Sequence, residues 1–337
     1  MTKLVSILIP AYNAEKWINN TIESALSQTW PNKEIIVVDD GSNDNTFLNA
    51  KKYESKKVYA IRQQNRGVSA ARNMALSNAQ GHYIQWLDAD DILAPDKIER
   101  QMDILKKYGD GVLASGRFGS FYYRIEKAVF RETEFWRDLS PLDWILTRFT
   151  EYVWMQAGAW LISRELCERA GPWDERLILD EDGEYFCRVV SMSEGVKFVH
   201  GAKSYYRIGN FGSQGMNRSI KALESLLLSM ELSFKVLKSM EDSERTRNSC
   251  LKFLQSRVID YFPDNYEIMA KAEKLARELG GILIRPEDSL KLYGTVKILG
   301  WRKKIMRTNM ARKIKKSVLR NIDKLIYDIN QRKDPEP

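Results

Sequence analysis

Hydrophobic and polar positions switch between two periods over the first 120 residues. Leu4–Ile9 is a short apolar run stopped by Pro10, the pattern of a buried strand. Trp17, Ile18, Thr21, Ile22, Ala25 and Leu26 then recur at helical spacing. Glu34–Val38 predicts a second buried strand, closed by Asp39-Asp40-Gly41-Ser42. A helix near residues 44–54 and a third strand over Val58–Arg62 follow. Gly67 opens a helix of small residues that runs to about Ala79, and His82–Leu87 predicts a fourth strand, ending in Asp88-Ala89-Asp90-Asp91. Pro95 stands where a first helical residue would stand, ahead of Ile98, Met102 and Leu105 on one face.

Strands about 25 residues apart with helices between them imply βαβ units and a mostly parallel sheet. Ligands of such sheets lie outside the carboxyl ends of the strands. Here those ends carry Pro10-Ala11-Tyr12-Asn13, Asp39-Asp40-Gly41-Ser42 and Asp88-Ala89-Asp90-Asp91. Residues 111–215 read as mixed α+β, with Trp136, Trp144, Trp154, Trp160 and Trp173 and the acidic cluster Asp180–Glu184. From about Ser219 the pattern is helical. The expected division is therefore a catalytic domain over 1–215 and a helical C-terminal region over 216–337.

Composition narrows the class. A chain of 337 residues with 44% hydrophobic and 29% charged residues is ordinary for a globular protein and excludes disordered, collagenous and fibrous chains. The N-terminus does not read as a leader, and the charge-free stretch Tyr152–Ser163 has 12 residues where a bilayer span needs about 20. Three widely spaced cysteines (Cys167, Cys187, Cys250) favour reduced thiols in the cytoplasm over disulfides or zinc. Residues 301–333 hold twelve Lys or Arg and two acids, a net +10 against +8 for the whole chain, which leaves −2 for the rest. That asymmetry points to an anionic partner surface.

Two carboxylates one residue apart, as in Asp88-Ala89-Asp90, can face one hard cation, and Mg²⁺ completes its shell with phosphate and water. Capping of a helix N-terminus is the plainer use of Asp91 and Asp96. Neither Gly-x-Gly-x-x-Gly after the first strand nor a Walker-type Gly-x-x-x-x-Gly-Lys-Ser/Thr occurs, so phosphate binding would fall to a cation and basic side chains.

Taken together, Val5–Asn13, Ile36–Ser42, Asn65–Asn73, Gly81–Asp91 and Glu181–Arg188 resemble glycosyltransferase family 2, the nucleotide-diphospho-sugar transferases of the GT-A-type fold. The resemblance covers residues 3–115 strongly and is recognisable to about 215. It implies a Rossmann-like, mostly parallel central sheet flanked by helices. It also implies that Pro10, Ala11, Tyr12 and Asn13 lie at the nucleoside and that Asp40, with Asp39 as the alternative, contacts the base. Arg66 and Arg72 would line the nucleotide site, with Arg72 near ribose or diphosphate. Asp88 and Ala89 would adjoin the donor, Asp90 with Asp88 would hold Mn²⁺ or Mg²⁺, and Asp182, with Glu181 second, would be the general base. Where the family often has Tyr-Arg-x-His, this chain has Tyr206-Arg207-Ile208-Gly209. Gly209 cannot ligate, Arg207 is left to reach phosphate, and His200 reads as a packed or surface residue. The glycine-rich stretch 209–215 is a candidate lid.

Trp154, Gln156 and Trp160 are candidate acceptor contacts, since aromatic faces stack on sugar rings. Ile314, Val318, Ile322, Leu325 and Ile329 recur at three or four residues among Lys313, Lys315, Lys316, Arg320 and Lys324. A basic amphipathic helix of this kind suits a membrane surface. The expectation is an inverting, metal-dependent hexosyltransferase (EC 2.4) of the cytoplasm, peripheral on the inner face of the membrane through residues 301–333. It would use a UDP-sugar and a glycan or lipid-linked acceptor in cell-surface polysaccharide synthesis. The alternative is a nucleic-acid or membrane binding module built on a degenerate transferase fold. No nucleic acid is expected, because the strand ends are acidic.

Overall fold

The computed structural model describes residues 2–209, 219–261, 265–284 and 317–330. The first elements are β1 (Val5–Ala11), α1 (Ile18–Leu26), β2 (Lys33–Asp39), α2 (Thr46–Lys51), β3 (Val58–Arg62), α3 (Val68–Asn78) and β4 (Tyr83–Trp86). They fall close to the segments expected from the hydrophobic pattern. Then come β5 (Ile92–Leu93), α4 (Lys97–Tyr108), β6 (Val112–Phe121), β7 (Val129–Phe130), α5 (Pro141–Glu151), β8 (Ile162–Ser163), α6 (Arg164–Ala170), α7 (Glu181–Ser191) and β9 (Gly195–Arg207). Helices α8 (Ile220–Met240), α9 (Glu244–Tyr261) and α10 (Tyr266–Glu278) follow, with a further helix, α11, over 317–330. Helix α4 starts at Lys97 behind Asp96, so Pro95 precedes the helix instead of opening it.

The main sheet has the order β3-β2-β1-β4-β8, parallel except for β8. A second sheet, β5-β9-β6-β7, is built on the parallel pair β6 and β9. Its register shifts between Gly116 and Arg117. A Cβ on Gly116 would lie 2.6 Å from the Ala202 carbonyl oxygen, so glycine is needed for that approach.

Strand alternation divides the core. Leu8, Ile36, Val38, Ile84 and Trp86 face a cluster completed by α3, α5, α7, α8, α9 and α10, through residues such as Ala71, Phe149, Val190, Met230, Phe253 and Ile268. Val5, Ile7, Ile9, Ile35 and Val37 face the other way, onto Ile18 and Ile22 of α1 and Ile98, Met102 and Leu105 of α4. Both faces of the parallel sheet are thus covered, as its near-continuous apolar strands require. The first cluster runs across the expected division at 215, because Leu226, Met230 and Phe234 of α8 belong to it.

Helix α11 packs by its polar side. Asp323 is buried, its Oδ1 2.6 Å from Arg124 Nε, and it accepts from the Tyr123 N–H at 2.9 Å. Tyr327 packs on Trp17 and Tyr123. Val318, Ile322, Leu325 and Ile329 are exposed. The remainder of the basic tail, 301–316 and 331–333, lies outside the described residues, as do residues 210–215 of the candidate lid.

Candidate active site

Two turns at the carboxyl edge of the sheet carry aspartates. At the end of β2, Asp40 accepts from Gln63 Nε2 at 2.7 Å, the Arg66 N–H at 2.9 Å and the Gly67 N–H at 2.8 Å. Three donors on one carboxylate make Asp40 the residue that folds the 63–67 loop onto the sheet. Asp40 is the carboxylate that the resemblance puts against the base. Asp39 is fully buried, with Oδ2 3.2 Å from Arg62 Nε and Oδ1 without a hydrogen-bond partner. Asp39 is the alternative base contact. Gly41 has φ +71° and lies 2.8 Å, at its would-be Cβ, from the Asn65 nitrogen, so only glycine fits this turn.

Pro10 and Ala11 are buried at the end of β1, and Tyr12 is half exposed. Asn13 has φ +49° and joins the two turns: its N–H donates to Ser42 Oγ at 2.9 Å and its Oδ1 accepts from the Asn43 N–H at 3.0 Å. Arg66 is exposed and pairs with Glu175 at 2.8 Å.

Beyond β4, Asp88 and Asp90 are partly exposed and Asp91 is fully buried. Asp91 accepts from Gln156 Nε2 and, at 2.8 Å, from the Arg207 N–H. Burial, then the neighbouring Asp90 and Asp88, push its pKa well up. Arg207 is buried between Trp17 and Phe121, with its Nε donating to the Asp90 carbonyl at 2.8 Å and its Nη1 to the Tyr122 carbonyl at 3.1 Å. It holds the turn that presents Asp90.

Arg72 brings the second half of the site to the first. Its guanidinium is buried, 4.2 Å from the Trp173 ring centroid. Nη2 lies 3.0 Å from Asp88 Oδ1 and Nη1 3.1 Å from Glu181 Oε1. Burial opposes its charge, but Asp88, Glu181 and Asp182 outweigh that and raise its pKa. Arg72 is thus a bridge between acids. Glu181 and Asp182 open α7. Burial raises the pKa of Glu181 to about 7 despite Arg72. Burial and then Asp180 raise that of Asp182, while Arg72 and Arg148 pull it down.

The three acceptor candidates separate. Trp154 is exposed, with ring centroids 5.2 Å from Tyr206 and 5.1 Å from Phe118. Trp160 is fully buried, stacked on Phe186, and Gln156 is buried against Asp91 and Ser204. Both belong to the interior, which corrects their expected contact with acceptor. His200 is exposed beside Arg117 and Phe198, seven residues or about 23 Å of strand from Arg207. Tyr206 was not legible as a site residue. Burial raises its pKa, and the negative charges of Asp91, Asp88, Asp90 and Asp182 raise it further. Only the pairing of β9 with β6 reveals this position.

Among the described residues no three His, Cys, Asp or Glu side chains form a metal cluster. Asp88 and Asp90 supply a hard-oxygen set of the one-or-two-carboxylate kind that Mg²⁺ and Mn²⁺ accept when phosphate completes the shell. Burial is the main cause of the raised Asp91 pKa, and the charges of Asp90 and Asp88 add to it. The donor set fits the group.

A mostly parallel sheet with acidic turns at its carboxyl edge and an acid pair bridged to them defines a GT-A-type fold. Residues 6–169 match the glycosyl transferase family 2 model. An uncharacterised glycosyltransferase of Rickettsia prowazekii is 46% identical over 104 residues, 31% of this chain and 32% of that protein. The putative teichuronic acid biosynthesis glycosyltransferase TuaG of Bacillus subtilis is 40% identical over 105 residues, 30% of this chain and 42% of that protein. The matches thus span less than half the length of these relatives. S. aureus TarS 1–349 in complex with UDP superposes with a TM-score of 0.61 at 19% identity, over 77% of this chain and 73% of TarS 1–349. No helix among the described residues is long and apolar enough to cross a membrane.

Proposed function

We propose that the chain is an inverting glycosyltransferase that moves a sugar from a nucleotide-diphospho-sugar, a UDP-sugar foremost, to the hydroxyl of a glycan or lipid-linked glycan. The observation that carries this reading is the Asp88–Arg72–Glu181 bridge, which fixes the donor-side acids beside the acid pair of α7. TuaG, named for teichuronic acid synthesis, and the complexes of TarS with UDP and UDP-GlcNAc support the choice of polymer and nucleotide.

The nucleoside lies against the β1 and β2 ends, by Tyr12 and Asp39. Asp90, with the free oxygen of Asp88, would hold Mn²⁺ or Mg²⁺. When bound, the ion offsets charge on the departing diphosphate as a Lewis acid. Arg207 and Asp91 keep the Asp90 turn in place. Asp182 takes the proton from the acceptor hydroxyl at its carboxylate, and Arg72 keeps Glu181 at its side. Trp154 and Tyr206 offer an aromatic wall for the acceptor ring. Peripheral attachment to the inner face of an anionic membrane, through residues 301–333, would bring a lipid-linked acceptor to this edge.

The test is transfer from UDP-sugars with and without Mn²⁺, in the wild type and Asp182→Asn. Turnover should fall about 10²- to 10⁴-fold in the variant, with UDP affinity by calorimetry changed less than about threefold. Near-normal turnover in Asp182→Asn overturns the base assignment.

A further inference from the structure

The turn before the acid pair is held in an unusual way. Asp180 occupies the cap position of α7 in the left-handed region, with φ +60° and ψ +26°. An ordinary Asp cap accepts from an N–H of the helix's first turn, but this side chain makes no such bond. It turns away, to Arg148 Nη2 of α5 at 2.6 Å and Ser229 Oγ of α8 at 2.8 Å. Ser229 Oγ also lies 3.0 Å from the Asp180 carbonyl, which accepts the first helical bond of α7, from the Glu184 N–H. One helical turn earlier, Ser225 Oγ accepts from the Ile178 and Leu179 N–H groups at 2.6 and 3.2 Å. Arg148 is buried and lies 5.1 Å from the Phe253 ring of α9. A Cβ on Gly183 would fall 1.8 Å from Arg148 Nη2 and 2.4 Å from Asp180 Oδ1, so the glycine in the acidic segment makes room for this pair. A left-handed non-glycine residue persists only where its surroundings over-determine it.

We infer that Arg148 and Ser229 are positioning residues for the acid pair: they clamp Asp180, set where α7 begins and hold Glu181 and Asp182 at the cleft. The clamp gives α5 and α8 a part in the site, although neither touches it. Arg148 also bears on the charge of Asp182. The other charged or titratable groups facing Asp182 are Asp180 and Glu181 beside it, Arg72 from α3 with its partner Asp88, and Tyr206 from β9. Without Arg148, Asp180 would remain as an unpaired carboxylate close to Asp182 and push its pKa further up.

The kinetic arm of the test rests on the transfer activity proposed above; the structural arm does not. In Arg148→Met the acid limb of the kcat profile should move to higher pH by about one unit, while the donor KM stays within about twofold. Arg148→Met combined with Asp180→Asn should bring the limb back, since the uncompensated carboxylate is gone. In Ser229→Ala, hydrogen exchange at the amides of residues 178–184 should quicken about tenfold or more, with the β1 and β2 amides unchanged. An acid limb unmoved in Arg148→Met, or unchanged exchange over 178–184 in both Ser229→Ala and Arg148→Met, overturns the inference. A wild type without transfer defeats the proposed function and leaves the exchange measurement to decide the clamp.

Discussion

The ends of β2 and β4 carry the same residue type in the same kind of turn, and the fold treats them differently. At β2 the 63–67 loop folds back and supplies backbone and amide donors, so Asp40 is enclosed and neutral donors surround it. At β4 no such loop returns among the described residues. Asp91 goes inward to Gln156 and the Arg207 N–H, while Asp88 and Asp90 keep part of their surface exposed, with Arg72 beside Asp88 and the buried Arg207 behind Asp90. Carboxylates met by N–H groups shape a loop. Carboxylates left facing each other concentrate negative charge where a cation and a diphosphate can be held.

Breaking the bridge at the β4 end should have the largest effect. Arg72→Met leaves Asp88 and Glu181 without their shared guanidinium. Removing one partner of a buried ion pair costs about 3–5 kcal/mol, to be read as a fall in denaturant midpoint. Asp90→Ala should leave the fold intact and weaken Mn²⁺-dependent UDP binding by about 100-fold, or about 2.7 kcal/mol, measured by calorimetry. Asp40→Ala should do the reverse. It strands the Arg66 and Gly67 N–H groups, costing about 1–3 kcal/mol of stability, and affects UDP affinity less than Asp90→Ala does. If Asp40→Ala proves the more damaging to metal-dependent binding, the contrast between the two turns fails.

The smallest expected effect is in pH. Raised pKa values mean that Asp182 and Glu181 take up protons early as the pH falls. A carboxylate base acts only when ionised, so the acid limb of transfer should lie above the ordinary carboxylate range of about 4. A pH–rate profile flat down to about pH 4 would contradict that.

Strands β1–β4 and helices α1–α4 were legible because short apolar runs and helical periodicity are local signals, whereas the two-residue β5 was not. The acidic turns were legible for the same reason: each directly follows a strand. What the pattern could not show was long-range pairing. Trp160 reads as a candidate acceptor contact, yet its carbonyl accepts from the buried Lys97 Nζ at 2.9 Å and its ring lies in the core. Arg72 and Arg207 are placed near ribose or phosphate by the resemblance alone; partners they have in the fold, Glu181 and the Tyr122 carbonyl, are 109 and 85 residues away. Tyr206 and Asp180 owe their places to β6 and α8, elements whose packing no local spacing reveals. On α11 the apolar stripe was legible, but not that its polar side faces the body.

A crystal structure with UDP and Mn²⁺ tests the placement of the donor most directly. The diphosphate and the ion should lie against Asp88 and Asp90, with the uracil between Tyr12 and Asp39 at the carboxyl edge of β1 and β2. Nucleotide bound elsewhere, or electron density for UDP and manganese missing from that edge at saturating concentration, would contradict the account.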